Sequence, residues 1–319
     1  MTRVAEGRGP AFGDRLTEHV RRRESQIVLG LDPDPARLWP RAVAQAGGVD
    51  GSAPPAARAA RAVAAHCAMV IEAAGEHCVA VKPQVACFER LGAPGWDALA
   101  ATVEAAQAAG LLVIADAKRG DIDVSAGAYA QAFFTGMQTP YGRVTGLGAD
   151  ALTVNPYLGR DSLEPFLAAA REVAGGLFVL ARTSNPGAAD LQERELRDGT
   201  GDVAACVGAL VDELGSSGVG SAGLSDVGAV VGATAPHRLA QLRAAMPHAP
   251  FLLPGVGRQG GRIEDMEAVF AVGVAGGLPS LSRSLVDAHR DSGSDPAGAA
   301  AAEAARVRAL AWDVAAAAG

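Results

Sequence analysis

The sequence predicts an α/β fold, a closed (β/α)8 TIM barrel, and three observations carry that reading. Eight short apolar, β-branched runs recur along the 319 residues. Ala-rich stretches of helical length lie between them, and polar residues, glycine or proline close each run. Continuous rather than alternating apolar character marks strands buried on both faces, as in a parallel sheet. Eight strand-then-helix units in one chain favour closure into a barrel over an open sheet.

The first run is Ile27-Val-Leu-Gly-Leu31, ending at Asp32. Cys78-Val-Ala-Val81 follows and stops at Lys82-Pro83, then Leu111-Leu-Val-Ile-Ala115 runs into Asp116. Ala151-Leu-Thr-Val154 ends at Asn155-Pro156, and Leu177-Phe-Val-Leu-Ala181 leads into Arg182-Thr-Ser-Asn-Pro186. Val227-Gly-Ala-Val-Val231 and Phe251-Leu-Leu253 come next, and Gly277 to Ser282 is the weakest of the eight. Trp96 to Ala109 and Leu163 to Val173 are helical spacers, and Pro296 to Ala318 reads as a closing helix outside the barrel. The Gly/Pro-rich segments Gly47 to Pro55 and Gly136 to Gly148 read as loops, not as domain boundaries. One domain is therefore expected over residues 1–319, its core at about 27–290.

Apolar residues make up 49% of the chain and aromatics only 4%, so the core is aliphatic. The formal charge of −7 argues against a nucleic-acid surface, which would be basic. Arg21 to Arg23 is the one basic cluster and reads as a solvated helix face. Met1 to Leu16 lacks the apolar stretch of an export signal, and no uninterrupted apolar segment is long enough to span a membrane. The four cysteines show no CxxC spacing and read as buried small hydrophobes in a reducing compartment. The scattered histidines contain no HExxH, so a metal site of His and Cys is not expected, and the reducing compartment read from the cysteines suits a cytoplasmic location.

All but two of the 28 basic residues are arginine. The exceptions, Lys82 and Lys118, each follow an apolar run, and Lys118 stands between Asp116 and Asp121. An ammonium can give up a proton where a guanidinium cannot. In a barrel the C-terminal strand ends build the active site, so Asp32, Lys82, Asp116, Ser184, Gln259 and Arg283 are expected around one mouth. Residues two apart on an extended strand share a side, which would turn Asp116 and Lys118 to one cavity with Asp121 a short turn beyond. A solvated loop ion pair is the plain alternative for such a cluster, and the second lysine on the preceding strand counts against it.

Asp116-x-Lys118-x-x-Asp121 after a buried strand resembles the signature of the orotidine 5′-phosphate decarboxylases. The string Ala115-Asp-Ala-Lys-Arg-Gly-Asp-Ile122 is similar to the bacterial branch common in actinobacteria. Val81-Lys-Pro-Gln-Val-Ala-Cys-Phe-Glu89, Leu152-Thr-Val-Asn-Pro-Tyr-Leu-Gly159, Thr183-Ser-Asn-Pro-Gly187 and Leu253-Pro-Gly-Val-Gly257 match that branch in the same order. The likeness runs from about Ile27 to Arg283.

The resemblance implies decarboxylation of orotidine 5′-phosphate to UMP, the last step of pyrimidine nucleotide synthesis, without metal or cofactor, by a homodimer with shared sites. Lys118 would protonate C6 of the pyrimidine, with Asp116 beside the substrate carboxylate. Lys82 and Asp121 would complete an alternating charge array, Asp121 reaching across to the site of the partner subunit. Asp32 and Lys82 would hold ribose hydroxyls, Ser184 the pyrimidine amide edge, and Gln259 and Arg283 the phosphate. Where the family carries Gly and a small residue after the motif, this chain has Asp123-Val124-Ser125. Ser125 keeps a hydroxyl for the ribose across the interface, while Asp123 adds a carboxylate beside Asp121.

Physical chemistry agrees with those roles. Decarboxylation leaves an electron pair on C6 with no adjacent carbonyl sink, and a fixed ammonium stabilises it and then supplies the proton. Repulsion between Asp116 and the leaving carboxylate, at about 4 Å and an effective dielectric near 20, gives roughly 4 kcal/mol. That is about three decades of rate out of the ~17 that efficient enzymes reach, so Lys118 and remote binding must carry most. Gly255-Val-Gly257-Arg-Gln-Gly260 formally matches GxGxxG, but no acidic strand end follows about 20 residues on, as a dinucleotide site requires. A phosphate loop after the seventh strand fits better, with Gly255 and Gly257 letting backbone N–H groups approach the anion. Two other readings keep the barrel: an Mg²⁺-dependent sugar-phosphate enzyme sharing the Asp-x-Lys-x-x-Asp motif, and a non-catalytic phosphate-ligand module.

Overall fold

The computed structural model describes residues 11–47, 52–197, 199 and 201–318. The expectation for Met1 to Leu16 lies outside them as far as residue 10, and so do positions 48–51 of the segment Gly47 to Pro55.

Eight parallel strands close into a barrel: β1 (Val28–Leu31), β2 (Ala80–Pro83), β3 (Leu112–Arg119), then β6 (Ala151–Val154), β7 (Gly176–Arg182), β8 (Val227–Val231), β9 (Phe251–Pro254) and β10 (Gly277–Leu281). Their order around the barrel follows the chain, and β10 pairs β1 to close it. Each coincides with one of the eight apolar runs, because a strand covered on both faces has no polar side from which to alternate. The two strands outside the barrel, β4 (Met137–Thr139) and β5 (Gly142–Val144), form an antiparallel hairpin. This corrects the loop expected over Gly136 to Gly148: the three-residue strands are mostly exposed and carry no apolar run to announce them.

Side chains divide into two cores by strand parity. Val28, Ala80, Leu112, Ile114, Phe178, Leu252 and Leu278 fill the barrel interior. Leu29, Val81, Val113, Leu152, Val179 and Leu253 point out against the helices. The helices cover them as the spacers predict, with Ala93–Ala108, Arg160–Glu172 and the closing Pro296–Ala318 in place. Among the described residues no helix is long and apolar enough to cross a membrane.

The helix Phe12–Arg23 plugs the barrel's N-terminal end. Phe12, Leu16 and Val20 are buried in the interior core, Phe12 meeting Phe178 edge-on at 6.2 Å. Its last residue overturns the reading of Arg21 to Arg23 as a solvated face. Arg21 and Arg22 are exposed, but the Arg23 guanidinium donates to the carbonyls of Gly75, Cys78, Ala109 and Gly110. It therefore satisfies carbonyls at the feet of two strands. The cysteines divide as well: all four are free, Cys67 and Cys78 are buried, Cys87 is half-buried, and Cys206 is exposed.

Candidate active site

A cavity of about 420 Å³ opens at the C-terminal ends of the strands, within the roughly 300–1,000 Å³ usual for small-molecule sites. Asp32, Lys82, Asp116, Lys118, Ser184, Gln259 and Arg283 all line it. Asp121, Ser125 and Gly257 do not line it. Asp121 and Ser125 follow β3 in the chain, Asp121 half-buried and Ser125 exposed.

Asp116 is the centre of the site. It is buried, and Lys82 Nζ donates to its Oδ2 at 2.6 Å while Lys118 Nζ donates to Oδ1 at 2.5 Å. Gln84 Nε2 also reaches Oδ2 at 3.1 Å, and Thr153 Oγ1 donates to Oδ1 at 3.0 Å. Burial opposes ionisation of this carboxyl most strongly, yet the two ammonium groups together outweigh it and hold its pKa well below 3.8. Burial likewise favours the neutral amine of Lys82, but Asp116 and Asp32 prevail and push its pKa above 10.5. Both members of the buried pair are therefore charged at neutral pH. Lys118, by contrast, is half-exposed to the cavity and free to approach a ligand.

The two lysines reach one carboxylate because β2 and β3 are paired neighbours. The route for Lys118 differs from the expected one. β3 has a register irregularity between Ala115 and Arg119, and Lys118 has φ +48°, not extended backbone. A bulge of this kind re-aims a side chain. Lys118 N–H is held in that conformation by Thr153 Oγ1 at 2.9 Å.

Gln84 and Thr153 were not among the residues singled out from the sequence, although signals for both existed. Gln84 stands two residues after Lys82, and Thr153 is the one polar side chain in the buried run Ala151–Val154, where a lone hydroxyl needs a partner.

At the other end of the cavity, Gly255, Val256 and Gln259 come from the loop after β9, and Ser282 and Arg283 from the end of β10. Gly255 and Gly257 have φ +97° and +77°, which glycine adopts without a Cβ clash. The Gly257 N–H is already donated to the Gly261 carbonyl at 2.9 Å. That hydrogen bond shapes the loop from which Gly255, Val256 and Gln259 line the cavity. Ser184 belongs to the loop after β7, whose first residue Thr183 is pinned by Gln192 through both its N–H (2.8 Å) and its hydroxyl. Among the described residues no three His, Cys, Asp or Glu side chains cluster as metal ligands.

Comparison with known proteins agrees with this geometry. The family model described as "Orotidine 5'-phosphate decarboxylase / HUMPS family" matches residues 25–289. An orotidine 5′-phosphate decarboxylase of Rhodopirellula baltica is 44% identical over 227 residues, covering 70% of this chain and 72% of the relative. One from Roseiflexus castenholzii is 39% identical over 301 residues, covering 93% and 96%. Among solved structures, the Leishmania donovani OMP decarboxylase superposes with a TM-score of 0.68 at 32% identity, covering 95% of this chain and 99% of that one.

Proposed function

The chain belongs to the orotidine 5′-phosphate decarboxylase / HUMPS family, and from that premise we propose how its site converts orotidine 5′-phosphate to UMP. The observation that carries the reading is the alternation Lys82–Asp116–Lys118, with a buried carboxylate fixed between two ammonium groups at 2.6 and 2.5 Å. The substrate carboxylate lies beside Asp116, so that repulsion raises the ground state. The bond from C6 to the carboxylate breaks, CO2 leaves, and the electron pair stays on C6. Lys118 delivers a proton to that carbon from Nζ and recovers one from water. Its ammonium is already oriented by Asp116, so little reorganisation accompanies charge development.

Remote groups supply the rest of the rate. Asp32 and Lys82 hold the ribose, Ser184 the amide edge of the pyrimidine, and Gln259 and Arg283 the phosphate. A guanidinium suits a phosphate because its donors form a planar fork. Binding energy from the phosphate end then serves to position C6 against Lys118.

The active form in this reading is a cytoplasmic homodimer built on a single barrel domain. Support comes from the surface after the neighbouring strands β3 and β6. Ile122 is 53% exposed and Val124 84%, apolar side chains adjoining Asp121 and Ser125 in the chain, and Tyr157, just after β6, is 79% exposed. A second subunit there would bury them and carry Asp121 and Ser125 toward its own cavity. Asp123 is exposed, with φ +52°.

The test is to follow loss of orotidylate absorbance on adding purified protein with EDTA present. Turnover unaffected by chelation is expected. Turnover that EDTA abolishes would favour the Mg²⁺-dependent alternative, and tight UMP binding without turnover would favour a binding module.

A further inference from the structure

Two loops beside the cavity are tied to each other by contacts that never touch it. β1 and β10 pair directly, with Val28 opposite Ser280 and Leu29 opposite Leu281. The segment after β1 carries Asp32 into the cavity wall, and the short helix Arg283–Val286 after β10 begins with Arg283. Neither Asp32 nor Arg283 forms an ion pair among the described residues. Lys82 attracts Asp32 electrostatically without pairing to it, so the placing of both residues depends on the backbones that carry them.

Those backbones do not simply pack together. A second cavity of about 180 Å³ lies between the loops, walled by Asp32, Arg37, His66, Arg283 and Asp287. The gap is spanned by discrete ties instead. Arg37 Nη2 donates to Asp287 Oδ2 at 3.0 Å, and the other oxygen of this buried carboxylate accepts from Arg290 Nε at 3.0 Å. Trp39 Nε1 donates to the Val286 carbonyl at 3.0 Å.

Trp39 is itself anchored from behind by His66, on the helix Pro55–Ala74. Its backbone N–H donates to His66 Nδ1 at 3.1 Å, and the two rings meet edge-on at 5.4 Å. Accepting at Nδ1 requires that nitrogen to be unprotonated. Burial keeps it so, holding the imidazole pKa down to about 4 against the attraction of Asp287 and with the repulsion of His289. Arg37, Trp39, His66 and Asp287 are all absent from the wall of the larger cavity.

We propose that Arg37, Asp287 and Trp39 are positioning residues that fix the separation of Asp32 from Arg283, and with it the spacing of the ribose and phosphate subsites. The proposal rests on the assignment of those two subsites above. A rigid spacing lets one bound phosphate place the nucleoside, whereas a loose one lets each part bind without helping the other.

Calorimetric affinities of UMP and uridine test this for the wild type, Arg37→Ala and Arg37→Lys. The wild type is expected to prefer UMP. In Arg37→Ala that preference falls about tenfold, the worth of one charge-assisted hydrogen bond, while uridine affinity changes little. Arg37→Lys keeps an ammonium for Asp287 and retains most of the preference. Trp39→Phe removes only the indole N–H, is expected to lower the preference in the same direction, and carries the test should Arg37→Ala fail to fold. An undiminished preference in the folded variants overturns the brace. A wild type that binds uridine as tightly as UMP overturns the phosphate assignment beneath it.

Discussion

The backbone N–H of Lys118 donates to the hydroxyl of Thr153 at 2.9 Å, and that hydroxyl donates onward to Asp116 at 3.0 Å. One side chain thus holds both the left-handed backbone of Lys118 and the carboxylate that orients its ammonium. A left-handed non-glycine residue costs about 1–2 kcal/mol, so the conformation persists only where its surroundings hold it. Thr153→Val keeps the shape and removes both hydrogen bonds. Turnover of orotidine 5′-phosphate is expected to fall roughly 10–100-fold with KM little changed. Thr153→Ser keeps the hydroxyl and should keep most of the rate. Equal losses in the two variants would assign the effect to the lost methyl packing.

Asp116 links the site to acid stability. Its pKa is lowered from 3.8 in the fold because Lys82 and Lys118 together outweigh its burial. A carboxyl depressed in this way stabilises the fold above its unfolded pKa, and that contribution is lost as pH falls through the lower folded value. Asp116→Asn has no such contribution and leaves the buried Lys82 ammonium without its counter-charge. The gap in urea midpoint between wild type and variant is expected to hold steady from about pH 8 to 5 and to narrow below 3.8. At the alkaline end Lys82, raised above 10.5, keeps its own contribution until pH climbs through its folded value. A gap that stays constant down to about pH 3 would show Asp116 to be uncharged in the fold.

Lys118→Ala separates chemistry from binding. The ammonium contacts Asp116 but is half-exposed to the cavity, so its removal leaves the buried Lys82–Asp116 pair intact. Decarboxylation should be lost almost entirely, while UMP binds within about threefold of wild type. Substantial residual turnover, measured at high enzyme concentration, would remove Lys118 from the role of proton donor.

The strands and the charged centre were legible for the same reason: each strand is a continuous apolar run, and a charge that ends such a run is conspicuous. Thr153 and Gln84 were not, because neutral side chains carry no charge to mark them and their value lies in what they donate to. The bulge that gives Lys118 φ +48° leaves no trace in Asp116-Ala-Lys118, since any residue order there also fits extended backbone. Arg23 was misread because its acceptors, the carbonyls of Gly75, Cys78, Ala109 and Gly110, lie 52 to 87 residues along the chain. The hairpin of β4 and β5 was hidden by its exposure, since a strand with no buried face has no hydrophobic pattern to read.

Arg23 offers a test of stability away from the site. Its guanidinium makes four hydrogen bonds to backbone carbonyls beneath β2 and β3. Arg23→Met keeps much of the aliphatic stem and abandons those acceptors, one pair of them partly buried. A loss of roughly 2 kcal/mol in unfolding free energy is expected, read from urea denaturation, with kcat and KM unchanged. An altered kcat would mean that the plugged end of the barrel communicates with the catalytic face.

The dimer reading makes a sharper demand. Asp121 stands outside the cavity that Asp116 and Lys118 line, yet the charge array in this proposal needs it, so each site must take it from the neighbouring subunit. Lys118→Ala and Asp121→Ala should then each be nearly inactive alone. Mixed in equal amounts under conditions that exchange subunits, they form mixed dimers in which one site carries both lesions and the other carries neither. Random pairing makes about half of the dimers mixed, so about a quarter of wild-type activity should return. Val124→Glu places a carboxylate in the exposed apolar surface beside Asp121 and is expected to lower both the sedimenting mass and the rate. Activity that does not recover on mixing, although subunits exchange, would place Asp121 in its own subunit's site or in neither.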